Sequence, residues 1–311
     1  EFPDASTCPW GAAVQRAFPR SVKEKAADPT GELAVLATDP GVINGLMPVA
    51  SGTQVKENAS AVIDYSNTAD GYVMVKYTAS TSKKLKAQVK GPSGVTYTYN
   101  LTAGADYATF PLSDGNGSYQ VSIFENISGT SYSTVLSVSF TASLKDEFAP
   151  FLLPNQYVNY TPESKTVAKA AELTSGVSDT LKKVQKVYEF VVDNISYDYE
   201  KAASVKSGYL PVLDTVLAQK KGICFDYAAL MTAMLRSQDV PTKLVVGYSG
   251  DIYHAWINVY SPESGWVENV VYFDGTTWKL MDPTFASTGN QSKEIMKYIG
   301  DGKNYSAKYI Y

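Results

Sequence analysis

The sequence predicts two folded units in series, an all-β sandwich followed by an α+β unit, and three patterns carry that reading. Between about residues 56 and 145, apolar and polar residues alternate through seven short runs separated by turn chemistry. Beyond Pro154 the apolar spacing lengthens to the helical period, and from residue 243 short β-type runs return. A chain of 311 residues with 44% hydrophobic content is long enough to bury two cores.

Residues 1–55 show no strong period. Residues 11–27 read as helix interrupted at Pro19 and 32–37 as a short apolar run, and the segment is expected to brace the two units rather than lie over a groove. Next, Ala61, Ile63 and Tyr65 share one strand face, as do Val73, Val75 and Tyr77, while Leu85, Ala87 and Val89 alternate with Lys86, Gln88 and Lys90. Val95, Tyr97 and Tyr99 continue the series, followed by Ala108, Phe110 and Leu112, then Tyr119, Val121 and Ile123, then Leu136, Val138 and Phe140. Gly91-Pro92-Ser93-Gly94 and Asp114-Gly115-Asn116-Gly117 are turn sequences. So many short strands predict an immunoglobulin-like sandwich over 56–145. Nothing catalytic stands out in it, so it reads as an accessory or spacer module whose removal leaves the chemistry intact.

The unit 146–311 opens with helices. Thr161-Pro162-Glu163 has the form of an N-cap followed by Pro at the first helical position, and Ser178 precedes Leu181, Val184, Tyr188 and Val191 at helical spacing. A third helix starts at Cys224 with Tyr227, Leu230, Met231, Met234 and Leu235 on its apolar stripe, and stops at Asp239-Val240-Pro241. Strands follow at 243–248, 252–260, 267–273 and 276–281.

Composition narrows the functional classes. The net charge of −4 comes from 27 basic and 31 acidic side chains with no basic stripe, which argues against nucleic acid as a partner. No stretch reaches the roughly 20 apolar residues of a membrane span. Glu1-Phe2-Pro3-Asp4 is neither an initiator Met nor a signal peptide, so a mature or trimmed product is expected. Abundant Tyr (23 residues) with only 19% charged residues suits a secreted or cell-surface protein. One His and no Cys-x-x-Cys argue against a zinc site, and neither a Gly-rich phosphate loop nor calcium-loop spacing occurs, so no metal or cofactor is expected.

The two cysteines are Cys8 and Cys224, and the one histidine is His254, thirty positions after Cys224. Both cysteines are expected as thiols, since a bridge between them would occupy the candidate nucleophile. An imidazole is the usual base that converts a thiol to a thiolate, and a helix start lowers the thiol pKa from its ordinary value near 8.5. Gly222 lets the backbone come close just before Cys224. On the 252–260 strand, Tyr253, Ala255, Ile257 and Val259 project to one face, and His254, Trp256, Asn258 and Tyr260 to the other, which is expected to meet the Cys helix. Asp282, in Asp282-Pro283-Thr284, follows the last strand and is placed to accept a hydrogen bond from His254.

The ordered set Gly222-Ile223-Cys224, a helix ending in Leu235-Arg236 with Val240-Pro241 beyond, Gly247-Tyr248, His254-Ala255-Trp256 and Trp278-Lys279-Leu280-Met281-Asp282-Pro283-Thr284 resembles the transglutaminase-like cysteine enzymes over about residues 175–287. The resemblance implies a papain-like α+β core, the Cys helix packed on an antiparallel sheet, with Cys224 as nucleophile, His254 as base and Asp282 as orienter. Family members cleave or transfer acyl groups of amides through a thioester. Bacterial members of this form are often exported and carry added β-sandwich modules. This chain departs from the shortest family pattern in a longer hairpin at 261–275, and the motif leaves the second oxyanion donor open. Gln219, Tyr197 and Tyr209 are candidates for that role, and Phe225, Tyr253 and Trp256 are candidates to line the groove, Trp256 equally as a core aromatic.

The reading is a thiol-dependent amide hydrolase acting on peptides or proteins, with cell-wall or surface proteins among the conceivable substrates. Protein-glutamine transamidation is the nearest alternative, and a non-catalytic binding module on a degenerate scaffold is the alternative from another class.

Overall fold

The computed structural model describes residues 47–268, 271–273, 278–280 and 305–311. The expectations for 11–27 and 32–37, Cys8 and Asp282 lie outside the described residues.

The alternation of residues 56–145 becomes two antiparallel sheets. Strands β1 (Val55–Glu57), β2 (Ala61–Asp64) and β3 (Tyr72–Tyr77) are followed by β4 (Leu85–Lys90), β5 (Thr96–Leu101), β6 (Ala108–Pro111), β7 (Gly117–Ser128) and β8 (Ser131–Ala142). The sheet orders are β1-β2-β3-β6 and β5-β4-β7-β8. Ile63, Val75, Ala87, Val89, Phe110 and Val121 face inward, as period-2 spacing requires. Strand β3 is buried on both faces, because Tyr72 and Met74 pack against Leu153 of the linker. Near the start of β7 the Tyr119 hydroxyl reaches back to the carbonyls of Leu112 (3.2 Å) and Gly115 (2.8 Å), closing the β6–β7 corner.

The second unit runs α1 (Lys165–Thr174), α2 (Thr180–Asn194), β9 (Ser196–Tyr197), α3 (Tyr199–Ser204), α4 (Leu213–Gln219), β10 (Lys221–Gly222), α5 (Cys224–Arg236), β11 (Thr242–Ser249), β12 (Ile252–Ser261), β13 (Gly265–Val267), β14 (Val271–Phe273), β15 (Trp278–Leu280) and β16 (Tyr305–Ile310). Helix α1 begins three residues later than expected. Thr161 and Ser164 form a turn in which the Ser164 N–H bonds the Thr161 carbonyl at 3.0 Å, and Ser164 takes the N-cap position. In α2 the N-cap is Asp179, whose carboxylate accepts from the Lys182 N–H at 2.8 Å.

Helix α5 is the centre of this unit. All residues from Asp226 to Arg236 are buried, so burial extends beyond the expected apolar stripe to the whole circumference, and α1, α2, α4, β11 and β12 pack around it. The antiparallel sheet has the order β13-β12-β11-β16. The expected single strand at 267–273 is instead two. Val267 pairs with Val259 of β12, whereas Val271 pairs with Leu280 in a separate β14–β15 hairpin. Glu268, a weak strand former, directly follows Val267. Among the described residues, the stretch expected as a longer hairpin holds the β12–β13 turn and, beyond it, strand β14.

Arg236, fully buried at the end of α5, donates to the carbonyls of Leu153 (2.6 Å), Thr242 (2.9 Å) and Tyr311 (2.7 Å). One guanidinium thus ties the linker, β11 and the residue after β16 to the central helix. Burial pulls its pKa down to about 10, which leaves it a cation at neutral pH.

The sandwich packs directly against the second unit at the junction. Tyr99 of β5 is buried within 5.5 Å (ring centroids) of Tyr157 and 5.9 Å of Tyr311, Tyr97 lies 5.6 Å from Tyr311, and Tyr157 lies 5.7 Å from Phe225. Gln156 adds a hydrogen bond to the Asn100 carbonyl at 2.7 Å. The two units share one continuous apolar core, and an aromatic chain runs from the sandwich to the residue beside Cys224.

Candidate active site

Cys224 is the first residue of α5. Ile223 at the N-cap has an extended backbone (φ −99°, ψ 175°), and its carbonyl accepts the first helical bond from Tyr227 N–H at 3.0 Å. The thiol is buried at the positive end of a four-turn apolar helix, where the field of the first turn favours the thiolate. Gly222 behaves as expected, because a Cβ there would come within 2.7 Å of the Asp226 Cβ.

His254 lies near the start of β12, opposite Gly247 of β11, and is buried. Its ring approaches Trp256 (6.1 Å) and Tyr305 (6.2 Å). A Cβ at Gly247 would fall 2.0 Å from the Ser306 carbonyl and 2.9 Å from the Trp256 ring, so only glycine fits beneath this group. The strand alternates as expected. Ala255, Ile257 and Val259, with Leu244 and Val246 across from them, join the core that holds α5, while His254 and Trp256 project to the side where Tyr305 lies. Tyr253 is on the helix side, and its phenol is raised by burial first, with further contributions from Tyr309, Tyr157, Tyr248 and the Cys224 charge. The start of α5 and the start of β12 therefore meet around Cys224 and Tyr253, with His254 the next residue along.

Residues 167–270, which include both Cys224 and His254, match the family model of the transglutaminase-like superfamily. That stretch is a transglutaminase-like domain. Over part of the chain there is similarity to the uncharacterized protein YebA of Bacillus subtilis strain 168, 29% identical over 117 residues, 32% of this chain and 16% of YebA. The UPF0252 protein MJ1282 of Methanocaldococcus jannaschii is 27% identical over 107 residues, 32% of this chain and 30% of that protein. The chain thus spans well under half the length of either curated relative. Among solved structures, a proposed cysteine protease from Cytophaga hutchinsonii overlaps 68% of this chain and 71% of its own at 15% identity with a TM-score of 0.34. Red sea bream transglutaminase overlaps 73% of this chain and 53% of its own at 14% identity with a TM-score of 0.30.

Within the transglutaminase-like domain the other candidates are spread out. Gln219 is exposed at the end of α4, just before Lys220 in the left-handed region (φ 52°). Tyr197 is buried on β9, paired in parallel with Gly222 of β10. Tyr209 gives its single phenolic proton to Asp226 at 2.6 Å, which commits the group to a structural bond. Phe225 is half-buried between Tyr157 and Tyr209, and Trp256 is buried in contact with Tyr305 at 5.2 Å.

A charged cluster under the helix start was missed from sequence. Asp226 is fully buried and accepts from the Ile223 N–H (2.9 Å), Lys201 Nζ (2.6 Å) and the Tyr209 hydroxyl (2.6 Å). Lys201 also donates to Tyr209, and its ammonium stands 4.3 Å from the Tyr209 ring centroid. Tyr209 is held above its ordinary pKa by burial and by the adjacent carboxylate. The available signal was a carboxylate at the third position of an otherwise apolar helix, the place where a side chain can bond back to the N-cap.

Among the described residues no group of three or more His, Cys, Asp or Glu side chains has the arrangement to hold a metal. No helix among them is long and apolar enough to cross a membrane.

Proposed function

We propose that this protein is a thiol-dependent amide hydrolase of the cysteine-peptidase kind, with Cys224 as nucleophile, His254 as base and Asp282 as orienter. The observation that carries the reading is the position of Cys224: a buried thiol at the first residue of a helix, in a transglutaminase-like domain whose one histidine adjoins Tyr253, a tyrosine that feels the charge of that thiol. His254 takes the thiol proton, and the thiolate attacks the amide carbonyl carbon. The tetrahedral adduct collapses as the C–N bond breaks and imidazolium protonates the departing amine, leaving a thioester. Water, deprotonated by His254, then attacks the thioester carbon and releases acid and thiolate. A second donor beside the Cys224 backbone N–H would stabilise the developing oxyanion, and Tyr197 and Gln219 remain the side-chain candidates for it.

Water is the expected acceptor because it is present at about 55 M, and transfer to an amine requires a site that holds the amine and excludes water. Residues 56–145 are read as immunoglobulin-like on the strand order and the Tyr119 corner, and export is part of the proposal on composition. The substrate is a peptide or protein, with surface proteins as the class to test first. The experiment is a mixed peptide pool with a glutamine-containing peptide and a labelled primary amine, the products counted by mass spectrometry for the wild type and Cys224→Ser. Cleaved or deamidated products that vanish in Cys224→Ser are expected. Amine-linked glutamine in excess would make the protein a cross-linking enzyme, and no turnover of any peptide would leave a binding module.

A further inference from the structure

The strongest unexplained feature is the ion pair beneath the nucleophile. A carboxylate with no exposed surface costs several kcal/mol of lost hydration unless it is paired and hydrogen-bonded. Asp226 is both, with three donors converging on two oxygens. The backbone contact explains why a carboxylate is there: by accepting from Ile223 N–H it fixes the N-cap conformation of the residue immediately before Cys224. The same carboxylate sits two positions along the helix from a thiol that must ionise, and in a buried setting like charges oppose each other strongly. A helix start built this way needs a compensating cation.

We propose that Lys201 is that cation and acts as a positioning residue for the nucleophile, cancelling the charge of Asp226 so that the Cys224 thiolate forms at neutral pH. This rests on the reading of Cys224 as nucleophile. The fold places Lys201 for the task. Helix α3 exists as a short, separately capped turn in which the Asp198 carboxylate accepts from Lys201 N–H at 2.9 Å, and Asp198 N–H in turn bonds the Gly222 carbonyl at 2.9 Å. Residues 198–201 are thereby clamped to Gly222, two positions before Cys224. The Lys201 side chain is 26% exposed and ends in a completely buried partner, the reverse of a solvated surface pair. Tyr209 closes the cluster from the 205–212 loop. Of the groups on neighbouring elements, Tyr253 of β12 interacts with the Cys224 charge and with Tyr157 of the linker and Tyr309 of β16, and His254 is the next residue along β12.

The test is the pH dependence of Cys224 alkylation by iodoacetamide, measured from about pH 5 to 9 on the intact chain by peptide mapping, for the wild type, Lys201→Met, Asp226→Asn and the double variant. Removing the cation is expected to raise the midpoint by roughly half to one pH unit, and removing the carboxylate to lower it by a similar amount. The double variant should return near the wild type. Opposed signs are a signature that general loosening of the helix start does not produce. Midpoints that do not move, or that move the same way in both single variants, overturn the proposal. Should Lys201→Met lose native circular dichroism, the direction for Asp226→Asn decides alone. A wild-type thiol titrating near 8.5 would instead overturn the nucleophile reading, and the opposed shifts would still be readable around that value.

Discussion

The chemistry of single residues sets the first expectations. Replacing His254 by Ala should lower turnover by roughly 10²–10⁴-fold, the usual contribution of a general base, and no second histidine exists to substitute. Asp282→Ala should cost less, since a thiol and an imidazole can pair without an orienter. Initial rates on the most rapidly cleaved peptide check both, with unchanged rates in His254→Ala removing the base from the account. Gly247→Ala should act on structure, because a methyl group 2.0 Å from the Ser306 carbonyl forces β11 and β16 apart. A lowered thermal midpoint, with Cys224 still the more reactive thiol, is the expected result. Cys224 and His254 were legible in the sequence because each is scarce and the local pattern of each is distinctive. Lys201 and Asp226 were not, because charged residues are common and nothing in a linear string pairs two side chains twenty-five positions apart.

At the scale of elements, the periodic segments were read well and the non-local ones poorly. The seven expected sandwich strands and helix α5 all occur, because burial on one face or on all faces leaves a direct mark in the apolar spacing. The start of α1 shifted because Thr161 and Ser164 compete for the same cap, and the side chain of Ser164 also accepts from the Thr161 N–H at 3.0 Å. Strand β16 was missed since its pairing with β11 joins residues some sixty positions apart and its sequence, Tyr305–Ile310, alternates weakly. The structural importance of Arg236 follows from these non-local joins. Arg236→Met should leave the carbonyls of Leu153, Thr242 and Tyr311 without their donor and destabilise the fold by about 3–5 kcal/mol. A urea midpoint equal to that of the wild type would show that the three carbonyls find other partners.

At the scale of the whole molecule, the shared aromatic core joins the sandwich to the second unit. Removing residues 56–143 strips Tyr97 and Tyr99 from Tyr157 and Tyr311, so the remaining unit should not fold cooperatively, in contrast to the spacer expectation. A truncated protein with a sharp thermal transition would restore that expectation. The same core gives a pH dependence. Burial raises Tyr97, Tyr99, Tyr119, Tyr157 and Tyr311 above the ordinary value of 10.0, so the unfolded chain loses protons first as pH rises. The stability linked to these phenols is complete below about pH 10 and is lost as pH climbs from there towards their folded values. Tyrosinate absorbance should therefore rise cooperatively with the loss of circular dichroism, whereas independent titration of the phenols near pH 10 in folded protein would contradict it.

The central claim, that α5 presents an activated thiolate, is tested most directly by competition between the two cysteines of the chain. Limiting iodoacetamide at about pH 6 to 6.5, followed by peptide mapping, should label Cys224 well ahead of Cys8, because at that pH an ordinary thiol is almost wholly protonated. Preferential labelling of Cys8 in the native protein, or equal labelling of the two, would contradict the account.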